Sequence, residues 1–88
     1  MSFRVTLSET AARQLRKVPR DVQSRIVRGL KVLEDDPFRP RPKADIRLLG
    51  GTVPPKYRLR IGDYRAVYAV VGHEVKVIEV FVRGRGYR

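Results

Sequence analysis

YRLRIGDYRAVYAV, residues 57–70, is the stretch that decides the fold. Gly62-Asp63 interrupts two runs rich in β-branched and aromatic residues, with glycine in the first central position that a type II′ hairpin turn prefers. Strands are therefore expected over 56–61 and 64–71. A two-residue loop sets Ile61 opposite Tyr64, Arg60 opposite Arg65, Leu59 opposite Ala66, Arg58 opposite Val67 and Tyr57 opposite Tyr68. One face then carries Tyr57, Leu59, Ile61, Tyr64, Ala66 and Tyr68 and belongs to a core. The other face carries Arg58, Arg60 and Arg65.

A third strand is expected over 75–82, after a connection at Gly72-His73-Glu74. With a two-residue loop, Glu79 falls on the core face. With the three-residue loop, Ile78, Val80 and Val82 join the core while Val77, Glu79, Phe81 and Arg83 join the arginine face. The second register is preferred because a slip of one residue buries a charge. Glu79 then stands near Arg58 as a partial counter-charge.

Upstream, Phe3, Val5 and Leu7 alternate with polar residues at the period of a half-buried strand. Ser8 fits an N-cap, and Ala11, Ala12, Leu15 and Val18 continue at helical spacing to Pro19. A second helix starts at Pro19-Arg20-Asp21, with Val22, Ile26, Leu30 and Leu33 forming one apolar stripe. The acidic run Glu34-Asp35-Asp36 before Pro37 is unfavourable at a helix C-terminus and predicts a basic neighbour. Five prolines and two adjacent glycines make 37–55 an irregular segment, anchored by Ile46, Leu48 and Leu49. The expected architecture is α+β: an N-terminal strand, an antiparallel helical hairpin, then a three-stranded antiparallel meander.

The 88 residues suffice for one small domain. Cysteine is absent and histidine occurs once, which argues against disulfides and zinc. No apolar run reaches the ~18 residues that cross a bilayer, and MSFRVTLSE lacks the apolar core of a signal peptide, so a cytoplasmic protein without membrane contact is expected. Twenty Lys+Arg against nine Asp+Glu give a net charge of +11. Fifteen of the twenty cations are arginine, whose planar fork suits phosphate and stacks on bases. Thermal adaptation raises charge of both signs, so it does not account for the imbalance.

Like charges directly opposite one another on paired strands cost a fraction of a kcal/mol. Arg60 facing Arg65 makes sense if an anion sits between them, so the hairpin reads as a phosphate holder. His73 lies in a turn at the far end of the sheet and reads as a turn residue. Tyr57, Tyr64 and Tyr68 read as core packing.

The pattern Tyr-Arg-x-Arg-x-Gly-Asp-Tyr-Arg-x-x-Tyr at 57–68, following a helical hairpin and a Leu-Leu-Gly at 48–50 and ending in the basic VRGRGYR at 82–88, resembles the RelE family of toxins within the RelE/ParE superfamily. The resemblance covers essentially the whole chain. It implies an mRNA interferase, a ribosome-dependent endoribonuclease that cuts messenger in the A site without metal or cofactor and is held inactive by a RelB-like antitoxin. On that resemblance Arg60, Arg65, Arg83 and Tyr87 are the catalytic set, and Lys56, Arg58 and Arg85 contact RNA. Arg58 and Arg60 stand where some members have lysine.

Metal-free RNA cleavage uses the ribose 2′-OH as nucleophile on the adjacent phosphate, so the enzyme orients an in-line attack, stabilises developing negative charge and assists proton transfer. Arg65 and Arg83 suit a phosphate clamp with Arg60 assisting. Arginine holds its proton to above pH ~12 and is a poor base; Tyr87, with its phenolate favoured by surrounding arginines, is the better candidate, or it stacks under a base. Two other readings stand beside this one: a ParE-like inhibitor of DNA gyrase without RNase activity, and a non-catalytic ribosome- or RNA-binding module. The free chain is expected to be a monomer and its antitoxin complex a hetero-oligomer.

Overall fold

The computed structural model describes residues 2–51 and 53–82. The elements run β1 (Arg4–Leu7), α1 (Glu9–Arg16), α2 (Arg20–Lys31), a short 3-10 turn (Val32–Glu34), β2 (Asp45–Leu49), β3 (Lys56–Ile61), β4 (Tyr64–Val71) and β5 (Glu74–Val82). The strands form one five-stranded sheet in the order β1-β5-β4-β3-β2, antiparallel except for the β1–β5 pair. The helices cover one face, α1 against β5 and α2 against β3. Between helices and sheet lie Ala11, Ile26, Leu30, Leu33, Ile46, Leu59, Ala66, Tyr68, Val75, Val77 and Val80. The expected strand, helical hairpin and meander are all present.

The β3–β4 hairpin has the register read from the sequence at every pair from Tyr57–Tyr68 to Ile61–Tyr64. Gly62 has φ +60°, while among the described residues none other than glycine has positive φ. A type I′ turn needs positive φ at both central positions and is excluded by Asp63; type II′ needs it only at the first.

The segment expected to be irregular instead contributes β2, paired along its length with β3. Ile46 is buried as expected, but Leu48 is 60% exposed. It lies on the core side of an edge strand, where no neighbour covers it.

The β4–β5 pairing corrects the expected three-residue connection. The loop is Gly72-His73 alone, with Val71 opposite Glu74 and Tyr68 opposite Val77; a register shift follows, so that Val67 faces Glu79 and Ala66 faces Val80. Ile78 is the extra residue of a bulge. Neither single register serves the pattern VKVIEVFV: one turns Glu79 inward, and the other turns Lys76 inward while placing Val77 outside. The bulge lets Val75, Val77 and Val80 all reach the core, each 4% exposed or less. Val77 therefore belongs to the core and not to the arginine face.

Helix α1 stabilises this irregularity. Where β1 ends at Leu7, the Ser8 hydroxyl accepts from the Ala11 amide at 3.0 Å as the N-cap and donates to the Ile78 carbonyl at 2.7 Å. The Gln14 side chain accepts from the Val80 amide at 2.6 Å. Backbone groups that β1 is too short to pair thus find partners in the first turns of the helix.

The acidic end of α2 meets the basic neighbour its composition predicted. Arg41 donates to the carbonyls of Val32 at 3.0 Å and Asp36 at 2.9 Å. The Asp36 carboxylate accepts from the Phe38 amide at 2.9 Å and the Arg39 amide at 3.3 Å. The Phe38 amide bond is the chief reason its carboxyl is held below the ordinary carboxylate range. A depressed folded-state pKa contributes stability that is present above about pH 4 and lost as pH falls through the folded value. Asp36→Asn is therefore expected to lower Tm at neutral pH, with the gap to the wild type closing as the pH is taken below 4 in a thermal-melt series. A constant gap across that range would assign the effect to something other than the charge.

At Gly29 α2 lies close against the sheet: a Cβ there would lie 2.8 Å from Cγ1 and 3.2 Å from Cγ2 of Ile61. Gly29→Val drives two methyl groups into this contact and is expected to cost about 1–3 kcal/mol by overpacking. For a domain of this size, at ~4–8 °C per kcal/mol, Tm falls by on the order of 10 °C. Calorimetry checks this, and a Tm unchanged or raised refutes the close approach.

Candidate functional site

Because side chains alternate along each strand, the registers fix what shares the sheet face opposite the helices. One row across the sheet reads Asp45, Arg60, Arg65, Phe81, and the next reads Arg47, Arg58, Val67, Glu79. Past the bulge a third row reads Leu49, Lys56, Ala69, Lys76, Thr6. The expected arginine face is thus assembled by the antiparallel pairing of β2, β3, β4 and β5. Arg60 and Arg65 occupy the row nearest the Gly62-Asp63 turn. Val82, the last described residue, pairs with Tyr64 beside them. Arg83, Arg85 and Tyr87, three of the residues expected to serve the site, lie outside the described residues.

The two arginines converge on one point. Arg60 Nε and Arg65 Nη1 each lie 3.4 Å from the Gly62 carbonyl oxygen, which accepts from both; Arg65 Nη1 also donates to the Tyr64 carbonyl at 3.2 Å. Hydrogen bonds of 3.4 Å are at the weak end of the range. A phosphate oxygen, with full charge and shorter contacts, is a stronger partner for both guanidinium groups than a turn carbonyl.

Asp45 supplies the local counter-charge. Its carboxylate lies 3.3 Å from Arg58 Nη2 and 4.0 Å from Arg60 Nη1. The carboxylate paired with Arg58 is therefore Asp45, while Glu79 stands in the same row beyond Val67. The Arg58 side chain is 19% exposed, and its Nε is buried with no hydrogen-bond partner among the described residues. Asp45 touches the outer end of that guanidinium and leaves its inner edge unmet.

Reading the sequence as irregular over 37–55 missed Arg47 and Asp45. Both are visible only once β2 is recognised: IRLL alternates poorly, but Ile46 paired with Leu59 places Arg47 across from Arg58. Lys76 was missed because the expected register turned it toward the core side. Lys56 is half-buried in the third row.

The remaining candidates stay out of the site. Tyr68 is fully buried, stacked on Tyr57 with ring centroids 5.5 Å apart. Its hydroxyl donates to the Pro37 carbonyl at 2.7 Å, and burial pushes the phenol well above its ordinary range. His73 sits in the second turn, packed on the Phe3 ring at 5.7 Å, at the end of β4 away from Arg65. Among the described residues no group of three or more His, Cys, Asp or Glu is gathered that could hold a metal ion, and no helix is long and apolar enough to cross a membrane.

Residues 5–87 match the family described as ParE toxin of type II toxin-antitoxin system, parDE. Among solved structures, the fold is similar to that of the archaeal RelE–RelB complex from Pyrococcus horikoshii OT3, with 32% identity, a TM-score of 0.81, and 98% of this chain and 100% of that chain covered. It also resembles the toxin-antitoxin complex RelBE2 from Mycobacterium tuberculosis, at 23% identity and a TM-score of 0.79, covering 94% of this chain and 100% of that one. The intact Escherichia coli RelBE complex matches at 23% identity and a TM-score of 0.65, covering 96% and 100%. At their lower identities these last two are likenesses of fold. No curated protein matches the sequence significantly.

Proposed function

The chain belongs to the ParE toxin family of type II toxin-antitoxin systems, within the RelE/ParE superfamily, and from that premise we propose that this toxin is a ribosome-dependent endoribonuclease that cuts messenger RNA in the A site. The observation that carries the reading is the convergence of Arg60 and Arg65 on one oxygen, in a row flanked by Arg58 and Arg47. Cleavage needs the 2′-oxygen to form a bond to phosphorus as the bond to the 5′-oxygen breaks, with negative charge growing on the non-bridging oxygens. Two guanidinium groups aimed at one point meet that charge. Arg65 and Arg60 clamp the scissile phosphate with Arg83, Tyr87 moves the proton or stacks under a base, and Lys56, Arg58 and Arg85 hold the flanking strand.

Asp45 has a place in this scheme. Its carboxylate holds Arg58 and Arg60 apart and oriented when no RNA is bound, and RNA phosphate displaces it.

A RelB-like antitoxin is the partner that fits the family. The Pyrococcus horikoshii relative is a RelE–RelB complex, and a chain of charge +11 suits an acidic segment that folds on binding. We infer a monomeric free toxin acting in the cytoplasm, and a hetero-oligomeric complex with the antitoxin.

The match to the ParE toxin family keeps a second reading beside this one, a ParE-like inhibitor of DNA gyrase without RNase activity. Primer extension on messenger incubated with the toxin, with and without programmed ribosomes, beside a gyrase supercoiling assay at the same toxin concentration, separates the two. An A-site cut seen only with ribosomes supports the interferase. No cut together with blocked supercoiling supports the ParE-like activity, and no effect in either assay leaves a binding module.

A further inference from the structure

Attack of a 2′-oxygen on phosphorus requires a group that takes the hydroxyl proton, and arginine, protonated to above pH ~12, is a poor one. Of the four side chains in the row Asp45, Arg60, Arg65, Phe81, Asp45 is the one that can accept it. Its carboxylate lies 3.3 Å from Arg58 Nη2 and 4.0 Å from Arg60 Nη1, and its side chain is 53% exposed, within reach of a substrate. Arg60 thereby spans two partners. Its Nη1 faces this carboxylate, while its Nε donates at 3.4 Å to the Gly62 carbonyl oxygen on which Arg65 Nη1 also converges. A phosphate oxygen taking the place of that carbonyl as acceptor stands one guanidinium group away from Asp45. Other acceptors on the sheet are farther from the pair. Glu79 is in the next row, on β5, with Val67 between it and Arg58, and His73 is in the turn at the opposite end of β4.

Resting on the ribonuclease reading above, we propose that Asp45 is a catalytic residue, the general base that takes the 2′-hydroxyl proton at the cut. A carboxylate oxygen of Asp45 accepts the proton as the 2′-oxygen bonds to phosphorus and the bond from phosphorus to the 5′-oxygen breaks. One fragment is left with a 2′,3′-cyclic phosphate. The departing 5′-oxygen takes a proton from a separate donor, water or Tyr87, and becomes a 5′-hydroxyl, so protons and bonds balance without any further reactant.

The charges around Asp45 make this role dependent on substrate. Arg58 and Arg60 face it from β3, the one strand that pairs with β2; Arg47 is two residues on along its own strand, and Arg65 is the next member of its row. A carboxylate paired with two guanidinium groups is a weak proton acceptor, and one whose cations have been taken over by phosphate accepts a proton more readily. RNA that draws Arg60 and Arg58 onto its phosphates therefore frees Asp45 and at the same moment makes it a better base. The orienting part that Asp45 plays in the empty site and its chemical part in the filled one follow from the same two contacts.

Single-turnover cleavage on programmed ribosomes over a pH series tests the role. The wild-type rate is expected to rise with pH as the base ionises and then to level. Asp45→Asn keeps the size and one acceptor oxygen but takes no proton, so at the plateau it is expected to be slower by about 10²–10⁴-fold, with the rise gone. A messenger with sulfur in place of the 5′-oxygen at the cut needs no proton on its leaving group, so the Asp45→Asn loss is expected to persist on it. Asp63→Asn and Glu79→Gln, which alter carboxylates in the turn and in the next row, are expected to keep the wild-type profile. The ion pairs of Asp45 are at the surface and contribute little to stability, so Asp45→Asn is expected to melt with the wild type. A loss of the same size at every pH would make Asp45 an orienting group alone, and recovery on the sulfur messenger would make it the proton donor; either overturns the assignment, as does a lost pH limb in Asp63→Asn or Glu79→Gln. A wild type that makes no cut removes the ribonuclease reading and this role with it, whereas a wild type that cuts beside an equally active Asp45→Asn removes this role alone.

Discussion

Arg65→Ala is expected to reduce A-site cleavage by about 10²–10³, the loss found when one preorganised donor to a developing oxyanion is removed. Stability should hardly move. Arg65 is half-buried, and its removal relieves the repulsion of two guanidinium groups directly across a strand pair, worth a few tenths of a kcal/mol. Against that stands the loss of its contacts to the Gly62 and Tyr64 carbonyls, so the net change falls within about 0.5 kcal/mol, as for most surface substitutions. Single-turnover cleavage on programmed ribosomes beside a thermal melt checks both parts. An active variant would remove Arg65 from the chemistry, and an unfolded one would make it structural. Arg65→Lys keeps charge but loses the fork that lets two donors share one phosphate, and it is expected to recover only part of the rate.

The largest effect on stability is expected at Tyr68. It is fully buried between the helices and the centre of the sheet, stacked on Tyr57, and its hydroxyl satisfies the Pro37 carbonyl. Tyr68→Ala opens a ring-sized cavity at about 3–5 kcal/mol and orphans that carbonyl. Small domains possess about 5–15 kcal/mol in total, and an 88-residue chain belongs toward the lower part of that range. The variant should therefore lose its cooperative melting transition, whereas Tyr68→Phe keeps the ring and costs about 1–2 kcal/mol for the unmet carbonyl. If the alanine variant melted within a few degrees of the wild type, this account of the core would be wrong.

Tyr68 also predicts behaviour at high pH. Burial raises its pKa in the folded state, so an unfolded tyrosine begins to release its proton near pH 10 while the folded one retains it. Stability is then full below pH ~10 and falls as pH rises beyond it. Tyr68→Phe should flatten that limb.

Asp45 and Arg58 illustrate why a charge pair here serves position more than stability. Asp45 is half exposed, and exposed pairs contribute little, about 0–1 kcal/mol. Its effect is geometric, because one carboxylate between two guanidinium groups limits where each can point. The Nε of Arg58, unmet among the described residues, has the opposite character, a donor held inside the face with no acceptor from those residues.

Several features were legible in the residues alone. The Gly62-Asp63 turn fixed the β3–β4 register through the requirement for positive φ, and with it the opposition of Arg60 and Arg65. Ser8 as N-cap, the apolar stripe of α2 and the need for a cation at its acidic end are local matters of hydrogen bonding and charge within a few residues. The family resemblance rested on the same local pattern. What only the tertiary structure decided was pairing between elements distant in sequence. No local signal makes 45–49 a strand, because β2 is held by β3 and its edge residue Leu48 gains nothing from burial. The bulge at Ile78 arises from the competing demands of Val75, Val77 and Val80 for one core, with Lys76 and Glu79 kept out of it, and its carbonyl is satisfied by Ser8, 70 residues away. A strand's period of two is set by its own backbone, but which face is inside, and where the register must slip to keep it there, is set by the surface it packs against.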